Sequence, residues 1–573
     1  MSQIKTLFFF SFLLFLSSVQ AQKIPLAEHP RPDFERPIWL NLNGQWNFEF
    51  DTENQGVEQG WQTGSKKFSK KITVPFPWGS ALSGLKDEAD IGWYQKSITV
   101  PETWKSKRAF LTIGASDWET TVWLDGKEIG KHQGGYVPFS FDLTDHLKYG
   151  KAQNLVIRVD DARRDFTLYG KQGYGNARGI WQTIYLEARG KSYLEALHFA
   201  PDIDNKKVKV TAYLPEDADR DMKLSVTIDA ENSVIQKSIV IPKGAYKKEF
   251  DITIAVPHLW NLDDPYLYRA KATLEDDEIS TYFGMRKISV MNLPGTEIPY
   301  IALNNEPIYV QIALDQSYHP EGFYTFPSDQ FMREEIERSK SIGLNAIRNH
   351  IKVEIPRKLY WADKLGLLVM QDLPNSWGEP DAKMQAESEY TLREMIKRDF
   401  NHPSIFSWII FNETWGLRTN TPERRGVYLP STQNWVASMY YLAKSLDMTR
   451  LVEDNSICCG AGHTETDIYS WHQYLPGYKW EEFLKNLTEN NYPGSTFDYE
   501  DGFAQGNQPN INSECGNVWG YEGSSGDVDW SWDYNRMINT FRKYPKIAGW
   551  LYTEHHDVIN EWNGYWRFDR SEK

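Results

Sequence analysis

Residues 367–413 read LLVMQDLPNSWGEPDAKMQAESEYTLREMIKRDFNHPSIFSWIIFNE, and this stretch decides the fold of the C-terminal half of the chain. It begins with an apolar run at 367–370, continues with helical periodicity from Gln385 to Phe400, and ends with a second apolar run at 405–411. Short apolar runs that alternate with amphipathic helices are typical of parallel βα units. The stretch therefore predicts a strand, a helix and the next strand of a parallel array.

The same alternation extends in both directions and begins after Pro294. Helical periodicity also covers 329–342 and 357–365. The eight candidate strands lie at 309–312, 345–348, 367–370, 405–411, 451–452, 468–469, 511–512 and 547–550. This pattern predicts a (β/α)8 TIM barrel over residues 293–573. A closing helix should follow the eighth strand, but the sequence reaches Lys573 soon after it, so we expect a degenerate last helix or a chain that is cut short.

The N-terminal half of the chain has the period of β-structure. Residues 38–190 contain short alternating segments rich in Val, Ile, Thr, Phe and Trp, with turn signals such as Asp125-Gly126 and Gly134-Gly135. They predict an antiparallel β-sandwich, to which we assign residues 22–190. Residues 191–292 repeat the pattern with fewer aromatic residues and predict an immunoglobulin-like sandwich. The expected fold is therefore a multidomain β + α/β protein.

Charge and composition limit the partners. The 573-residue chain has a formal net charge of −15, which repels phosphate backbones and anionic lipid surfaces, so we expect no nucleic acid partner. Aromatic residues make up 14% of the chain, with 23 Trp and 31 Tyr. Such rings suit the C–H faces of sugars, but they also fill the interiors of β-sandwiches, and composition alone favours the second interpretation.

The N-terminus resembles a secretory signal peptide over residues 1–21. Lys5 supplies the positive charge, Leu7 to Leu16 form an apolar run, and Val19-Gln20-Ala21 is a small-residue cleavage site. The alternative is a membrane anchor, but the run is about half of the roughly 20 residues that span a bilayer. We therefore expect export to the periplasm or the medium, without membrane insertion. The three cysteines, two of them adjacent, predict no disulfide framework.

Polar side chains end the predicted barrel strands, where the active sites of such barrels lie. They form one candidate ring: Asp315, His350, Asp372, Asn412, Glu413, Asp454, His472, Tyr474, Glu514 and Trp550. Glu413 and Glu514 directly follow apolar strands, and hydrolysis of a glycosidic bond needs two such carboxyl groups. The alternative is that each glutamate only stabilises a helix N-terminus. Their joint placement on the fourth and seventh strands favours catalysis.

Several motifs resemble glycoside hydrolase family 2. FNETWG at 411–416 is similar to the acid/base motif of that family, and INSECG at 511–516 is similar to its nucleophile motif. Matches to the three expected domains occur in order along the chain: RPDFERPIWLNLNGQWNFEFD, VPFPWGSALSGL, GWYQKSITVP, GIWQTIYLEA, LWNLDDPYLY, YFGMRKISV, IRNHIKVE and YWADKLGLLVMQD. The resemblance implies a jelly-roll sugar-binding sandwich, an immunoglobulin-like sandwich and a catalytic TIM barrel.

The resemblance also implies a role for each site residue. Glu413 would be the acid/base and Glu514 the nucleophile of a retaining exo-β-glycosidase. Asn412 would bond the sugar 2-hydroxyl, His350 would contact the sugar, Tyr474 would donate to the nucleophile, and Trp550 would form an apolar floor. Asp315, Asp454 and His472 complete the predicted substrate-binding set. Arg348 would be a buried charge that holds carboxylates in place. Cys515, next to the nucleophile, is expected to be a buried packing thiol.

Departures from the family pattern bear on which sugar is cleaved. Classical β-glucuronidases of the family carry an Asn-x-Lys motif that binds the uronate carboxylate, whereas Glu561-Trp562-Asn563 stands at the matching place here. Glu561 would repel a uronate, so we expect a β-galactosidase first and a β-glucuronidase second. Lys352 is either a replacement cation or a solvated surface lysine. The magnesium-binding residues of large β-galactosidases have no counterpart after Asp372, so no metal and no cofactor are expected.

Other functions remain open at this point. A carbohydrate-binding protein with an inactive barrel would not need both glutamates, which argues against it. Glycosyl transfer uses the same two carboxylates as hydrolysis, so the sequence does not separate them. The expected partner is an oligosaccharide substrate, and a homo-oligomer is possible.

Overall fold

The computed structural model describes residues 24–231, 233–421, 424–516 and 531–573. The predicted signal peptide at 1–21 lies outside these residues. The described chain forms two antiparallel sandwiches followed by a parallel barrel, which confirms the predicted β + α/β architecture. Within the described part of the chain, none of the helices combines the length and the apolar character needed to cross a membrane.

The first sandwich has two main sheets. Its strands are β1 (Trp39–Asn41), β2 (Gly44–Phe50), β3 (Lys70–Val74), β4 (Ile91–Thr99), β5 (Arg108–Ile113), β6 (Ser116–Asp117), β7 (Glu119–Leu124), β8 (Lys127–Gln133), β9 (Phe139–Asp142), β10 (Ala152–Asp160), β11 (Gly179–Ile180) and β12 (Ile184–Arg189). The sheet orders are β1-β12-β5-β9 and β3-β2-β4-β10-β7-β8, with β11-β6 as a separate pair. Strand β10 sends Leu155, Ile157 and Val159 into the shared core, as the two-residue period of a strand requires.

The second sandwich is smaller and leads into the barrel. Its strands are β13 (Ala196–Asp202), β14 (Lys207–Tyr213), β15 (Met222–Ala230), β16 (Ser233–Ile241), β17 (Lys247–Thr253), β18 (Tyr268–Leu274) and β19 (Asp277–Phe283), and β20 (Ile288–Asn292), β21 (Pro299–Leu303) and β22 (Glu306–Pro307) form a connecting sheet. The sheet orders are β13-β14-β17 and β16-β15-β18-β19. Arg286 joins this domain to the barrel because its guanidinium donates to the carbonyls of Pro403 and Ile405.

The described part of the barrel has eight parallel strands, most of which are followed by a helix. Its strands are β23 (Val310–Asp315), β24 (Ala346–Asn349), β25 (Leu368–Asp372), β26 (Ile405–Asn412), β27 (Leu451–Ser456), β28 (Tyr469–Tyr474), β29 (Asn510–Gly516) and β30 (Ile547–Tyr552). The described helices are α1 (Asp329–Ser341), α2 (Pro356–Leu365), α3 (Ala382–Asp399), α4 (Pro430–Leu446), α5 (Trp480–Asn490) and α6 (Ser531–Phe541). The sheet order is β27-β26-β25-β24-β23-β30-β29-β28, so every predicted strand is present. Residues 553–573 form turns and isolated bridges after the eighth strand.

Irregular pairing at the carboxyl ends of two strands positions the site. The β28–β29 ladder shifts register between Trp471 and His472, and the β29–β30 ladder shifts between Ile511 and Cys515. Such shifts re-aim side chains that strict alternation would turn away. As a result His472 and Glu514 reach the mouth of the barrel.

Candidate active site

A cavity of about 420 Å³ opens at the carboxyl end of the barrel strands. Five of the predicted site residues line it: His350, Glu413, His472, Tyr474 and Glu514. Glu561 and Asn563, from the segment that differs from the family's uronate-binding motif, also line it. The rest of the wall consists of Lys171, Leu314, Gln316, Trp415, Cys458, Cys459, Gln473 and Thr553. The volume suits one or two sugar rings, so the arrangement fits an enzyme that acts at the end of a chain.

Glu514 is held as a buried carboxylate. Tyr474 donates from its hydroxyl to Glu514 Oε2 at 2.9 Å, and Arg348 Nη1 lies 3.6 Å from Oε1. Burial opposes ionisation, but His472, His350 and the guanidinium outweigh it and hold the pKa of the Glu514 carboxyl well below its usual range. A carboxylate that stays ionised in a partly closed cavity is suited to nucleophilic attack.

Glu413 lies across the cavity from Glu514 and is the more exposed of the two, with 20% of its side chain accessible against 7%. Its backbone has φ of 51°, and the next residue, Thr414, has φ of 58°. Left-handed backbone is costly for residues other than glycine and tends to cluster at functional sites. The Glu413 amide donates to the Ser456 carbonyl at 2.8 Å, which fixes this conformation.

His472 connects the two glutamates. Its Nδ1 lies 2.8 Å from Glu413 Oε1 and 3.6 Å from Glu514 Oε2, so these two oxygens are at most about 6.4 Å apart. Retaining glycosidases keep their carboxyl groups about 5–5.5 Å apart, whereas inverting enzymes need about 6.5–9.5 Å. The geometry is therefore compatible with retention. His472 Nε2 is 2.8 Å from Ser456 Oγ, which orients the ring.

Arg348 has the supporting position that the sequence predicts. Its side chain is fully buried, and Nε contacts both oxygens of Asp372 at 3.1 Å. Its Nη2 donates to Asn412 Oδ1 at 2.8 Å. This bond leaves Asn412 Nδ2 buried and without a hydrogen-bond partner among the described residues, although Asn412 is not one of the residues that line the cavity.

His350 contacts Glu514 from the second barrel strand. Its Nε2 lies 3.4 Å from Glu514 Oε1, and its Nδ1 is 3.0 Å from Gln316 Oε1. Burial lowers the pKa of His350, although the Glu514 carboxylate acts in the opposite direction. The residue therefore lines the cavity and contacts Glu514, as a sugar-contacting histidine would.

Three predicted substrate contacts are corrected by the structure, because none of them lines the cavity. Asp315 is buried and accepts a hydrogen bond from Lys358 Nζ at 2.6 Å. Asp454 accepts from the backbone amide of Thr464 at 2.6 Å and contacts His463 Nδ1 at 2.8 Å. Trp550 packs with the outer cluster against α5 and α6, whereas its neighbour Leu551 faces the barrel core. Asp315 and Asp454 are held by partners from a helix and a loop, and Trp550 lies on the outer face of its strand. None of the three side chains therefore reaches the cavity.

Lys352 is neither a surface lysine nor a cation of the cavity. Its Nζ is fully buried, donates to the carbonyls of Ser317 and Tyr324, and lies 3.2 Å from Glu354 Oε1. Burial lowers the pKa of Lys352 to about 8. The prediction that it could replace the family's uronate-binding lysine is therefore wrong.

The cation that does reach the cavity comes from the first sandwich. Lys171 directly precedes the short 3₁₀ helix Gln172–Tyr174, and its Nζ lies 4.8 Å from the centre of the Trp415 ring. It donates to the Tyr174 hydroxyl at 3.1 Å, and that hydroxyl donates in turn to Glu561 Oε1. Lys171, Tyr174 and Glu561 thus form one charged wall that joins two domains. Lys171 lies outside the predicted barrel strands and the family motifs, so the sequence alone does not point to it.

The cysteines also differ from the expectation. Cys458 and Cys459 are joined to each other, and both line the cavity. The sequence predicted no disulfide framework, and a bond between neighbours closes no long loop, so the correction is local. Cys515 is a buried free thiol, and burial together with the charge of Glu514 raises its pKa well above its usual range. A thiol in that state is not reactive.

Among the residues that the structure describes, two groups of side chains have a spacing that could hold a metal ion. They are Asp315 with His555 and His556, and Glu413 with Cys458 and His472; in each group the ligand atoms lie within 4.8 Å of one another. In the first group the Lys358 ammonium already neutralises Asp315. In the second, Cys458 is part of a disulfide and offers no thiolate. Neither donor set fits a resident metal, and the expectation of a metal-free site stays a prediction.

Family models match most of the chain. Residues 40–188 match the model described as glycosyl hydrolases family 2, sugar binding domain, and residues 192–286 match glycosyl hydrolases family 2. Residues 300–565 match glycosyl hydrolases family 2, TIM barrel domain.

Relatives carry two activities in their names. The chain is 25% identical over 483 residues to a β-glucuronidase of Bacteroides fragilis, which covers 76% of this chain and 63% of the relative. It is 26% identical over 393 residues to a β-galactosidase of Thermoanaerobacter pseudethanolicus, which covers 65% of this chain and 50% of the relative. The chain therefore spans about half to just under two thirds of the length of these relatives.

Solved structures share the fold over nearly the whole chain. The β-glucuronidase from Ruminococcus gnavus in complex with D-glucuronic acid superposes with a TM-score of 0.76 at 17% identity and covers 96% of this chain and 98% of that one. An uncultured Clostridium β-glucuronidase superposes equally well at 20% identity, covering 95% and 97% of the two chains. At such identities the likeness concerns the fold.

Proposed function

The chain belongs to glycosyl hydrolase family 2, and from this premise we propose that it is a retaining exo-β-glycosidase that removes terminal β-linked sugars from oligosaccharides. One observation carries the proposal: Glu413 and Glu514 face one cavity and are connected through a single histidine, His472. Two carboxyl groups at this spacing are what double displacement at a sugar carbon needs.

The first displacement would form a glycosyl ester. A carboxylate oxygen of Glu514 attacks the anomeric carbon while the bond from that carbon to the leaving oxygen breaks. Glu413 gives its proton to the leaving oxygen. Tyr474 and Arg348 support this step because their contacts keep Glu514 ionised before attack.

The second displacement would release the sugar. Glu413, now a carboxylate, takes a proton from a water molecule, and the water oxygen attacks the same carbon. The ester bond to Glu514 breaks, and both carboxyl groups return to their starting states. Asn412 Nδ2 is available to the sugar 2-hydroxyl, a contact that strengthens as the ring approaches its oxocarbenium-like transition state.

Charge in the cavity bears on the sugar. Glu561 stands on the wall where a uronate-binding cation would be useful, and the hydroxyl of Tyr174 links it to Lys171. An acid and a base on one wall offset each other and suit neutral hydroxyl groups, which need no buried counter-charge. This supports a β-galactoside as the substrate.

A β-glucuronide is the second candidate, for a specific reason. Lys171 makes no ion pair within 4.0 Å in the part of the chain that the structure describes, so its ammonium could bind a uronate carboxylate. Relatives of both names match the chain at similar identity. The preference between a β-galactoside and a β-glucuronide therefore depends on whether the charge of Glu561 or that of Lys171 acts more strongly on the bound sugar.

A panel of 4-nitrophenyl β-glycosides tests the proposal. The mature protein should release nitrophenol from the β-galactoside fastest, and NMR should show the β-anomer as the first sugar product. Glu514→Ala is the matched inactive control. First appearance of the α-anomer, or no turnover of any β-glycoside in the panel, would contradict the proposed function.

We also propose that the protein is exported to the periplasm or the medium. The residue pattern at 1–21 supports this, and so does the Cys458–Cys459 disulfide, since such bonds persist in oxidising compartments. N-terminal sequencing of the exported protein should give Gln22 as the first residue. Recovery of the uncleaved chain in the cytoplasm would contradict export.

A further inference from the structure

A second cavity of about 370 Å³ lies beside the catalytic one. Four residues line both cavities: Cys458, Cys459, His472 and Gln473. The disulfide and the end of β28 thus separate two neighbouring spaces, one of which contains both glutamates. We call the other space, which neither glutamate lines, the second cavity.

The position of Glu413 indicates on which side of the catalytic cavity the second cavity lies. The Cys458 sulfur, a Glu413 carboxylate oxygen and a His472 ring nitrogen all lie within 4.8 Å of one another. An acid catalyst must stand next to the oxygen that leaves, so the leaving group has to depart on the Glu413 side. On that side of the catalytic cavity the wall is the disulfide, and the second cavity lies behind it.

The lining of the second cavity has the chemistry of a carbohydrate site. Phe483, Phe497 and Tyr499 supply aromatic surface, and Asn486 supplies a side-chain amide. The side-chain amide of Gln473 makes no hydrogen bond with another residue in the described ranges, so it is available to sugar hydroxyls from either cavity. Aromatic faces next to polar groups are what a sugar ring with apolar C–H faces and polar edges requires.

The charged residues of the second cavity limit the class of sugar that it can bind. Asp498 and Glu500 line it, and the described lining residues include neither lysine nor arginine. A carboxylated or sulfated sugar would meet charge of the same sign without a counter-ion. The lining therefore favours a neutral sugar.

We propose that the second cavity binds the sugar unit on the leaving-group side of the bond that is cleaved, and that this unit is neutral. The substrate would cross the Cys458–Cys459 disulfide, with its terminal sugar between the glutamates and its next sugar against Phe497. The inference rests on the proposed function, because it uses Glu413 as the acid. It adds the class of substrate: a β-linked oligosaccharide with a neutral penultimate unit.

The experiment compares two substrates that share the terminal sugar. A β-glycosyl fluoride has no leaving-group ring, whereas the corresponding β-linked disaccharide does. The readout is the ratio of kcat/KM on the disaccharide to kcat/KM on the fluoride. Removing an aromatic contact should lower this ratio by about tenfold in Phe497→Ala. Asn486→Trp, which fills the cavity from the exposed face of α5, should lower it at least as much.

Matched controls separate the site from general damage. Tyr441 is an exposed aromatic residue on α4, so Tyr441→Ala controls for Phe497→Ala. Asn486 on α5 accepts a hydrogen bond from Asn490. Asn535 on α6 accepts the same kind of hydrogen bond from Asn539, so Asn535→Trp controls for Asn486→Trp. Both controls should keep the wild-type ratio. Melting temperatures establish that all four variants fold.

The outcomes distinguish the two proposals. Suppose that the wild type cleaves the fluoride and that the ratio changes by less than about twofold in Phe497→Ala and Asn486→Trp. This result overturns the role given to the second cavity and leaves the proposed function in place. A wild-type protein that does not cleave the fluoride overturns the proposed function and this inference together. A lower ratio in both variants and not in the controls supports the inference.

Discussion

His472 Nδ1 lies 2.8 Å from Glu413 Oε1 and 3.6 Å from Glu514 Oε2, so one imidazole contacts both the proposed acid and the proposed nucleophile. If His472 orients Glu413, His472→Ala should slow glycosides with poor leaving groups by about a hundredfold and those with good leaving groups by about tenfold. The check is kcat/KM across a series of aryl and alkyl β-glycosides. Equal losses along the series would show that His472 does not act through the acid.

Variants of the two glutamates should respond differently to added azide. Glu514→Ala should lose turnover on every substrate, because no other described group can form the ester, and azide should then give the α-glycosyl azide. Glu413→Ala should keep more activity on dinitrophenyl glycosides, which need little protonation, and azide should give the β-glycosyl azide. NMR of the products decides the assignment, and the reverse pair of anomers would exchange the two roles.

The acid limb of the pH profile should depend on the cations around Glu514. Its pKa lies below the usual range because His472, His350 and Arg348 outweigh burial, so the Glu514 carboxylate stays ionised as the pH falls. Removing one of them, as in His350→Leu, raises that pKa and should move the acid limb of kcat/KM to higher pH. Rate profiles from pH 3 to about 8 test this. A lower rate with an unmoved limb would mean that His350 only packs.

Specificity should follow the two charges on the wall between the domains. Glu561→Gln removes a repulsive charge and should raise the glucuronide-to-galactoside ratio of kcat/KM by about tenfold or more. Lys171→Met should lower the same ratio, and the double variant should return near the wild type. Measured ratios that do not move in either single variant would remove Lys171 and Glu561 from the list of specificity residues.

A buried ion pair should control stability in acid. Arg570 contacts both oxygens of Glu335 and, against the effect of burial, lowers the pKa of Glu335 to about 2. Since an unfolded glutamate has a pKa near about 4.3, the stabilisation is fully present above that pH and is lost as the pH falls toward about 2. Arg570→Met should lower the free energy of unfolding by about 3–5 kcal/mol at neutral pH and weaken this acid dependence, since Arg338 still contacts Glu335.

Urea unfolding at several pH values measures both effects. The double variant Arg570→Met/Glu335→Gln should recover part of the loss, because it leaves no buried charge unpaired. A single variant within about 0.5 kcal/mol of the wild type would contradict the role given to the pair.

The barrel could be predicted from the sequence because each strand and helix carries its own period. All eight predicted strands appear, and the strand-end pattern led to Glu413 and Glu514. The same pattern gave Asp315 and Asp454 incorrectly, since a strand-end carboxylate can pair with Lys358 of a helix or with a loop amide. Periodicity along one strand contains no information about partners that come from other elements.

The remaining differences have similar physical origins. Trp550 was assigned to the site although its neighbour Leu551 occupies the inner face, and a register shift next to β30 makes the facing hard to count from sequence. Lys171 was missed because it lies in a loop of the first sandwich, about 240 residues before Glu413 along the chain. Contacts between domains leave no periodic signal.

The wall formed by Lys171, Tyr174 and Glu561 also bears on how such proteins diversify. Because one charge belongs to the sandwich and the other to the barrel, exchange of either domain between related genes would change the electrostatics of the pocket in a single event. A recombined protein could keep both glutamates and still acquire a new preference. Selection on this pocket would then act on pairs of domains as a unit, and chimaeras with matched charges at positions 171 and 561 should be the ones that persist.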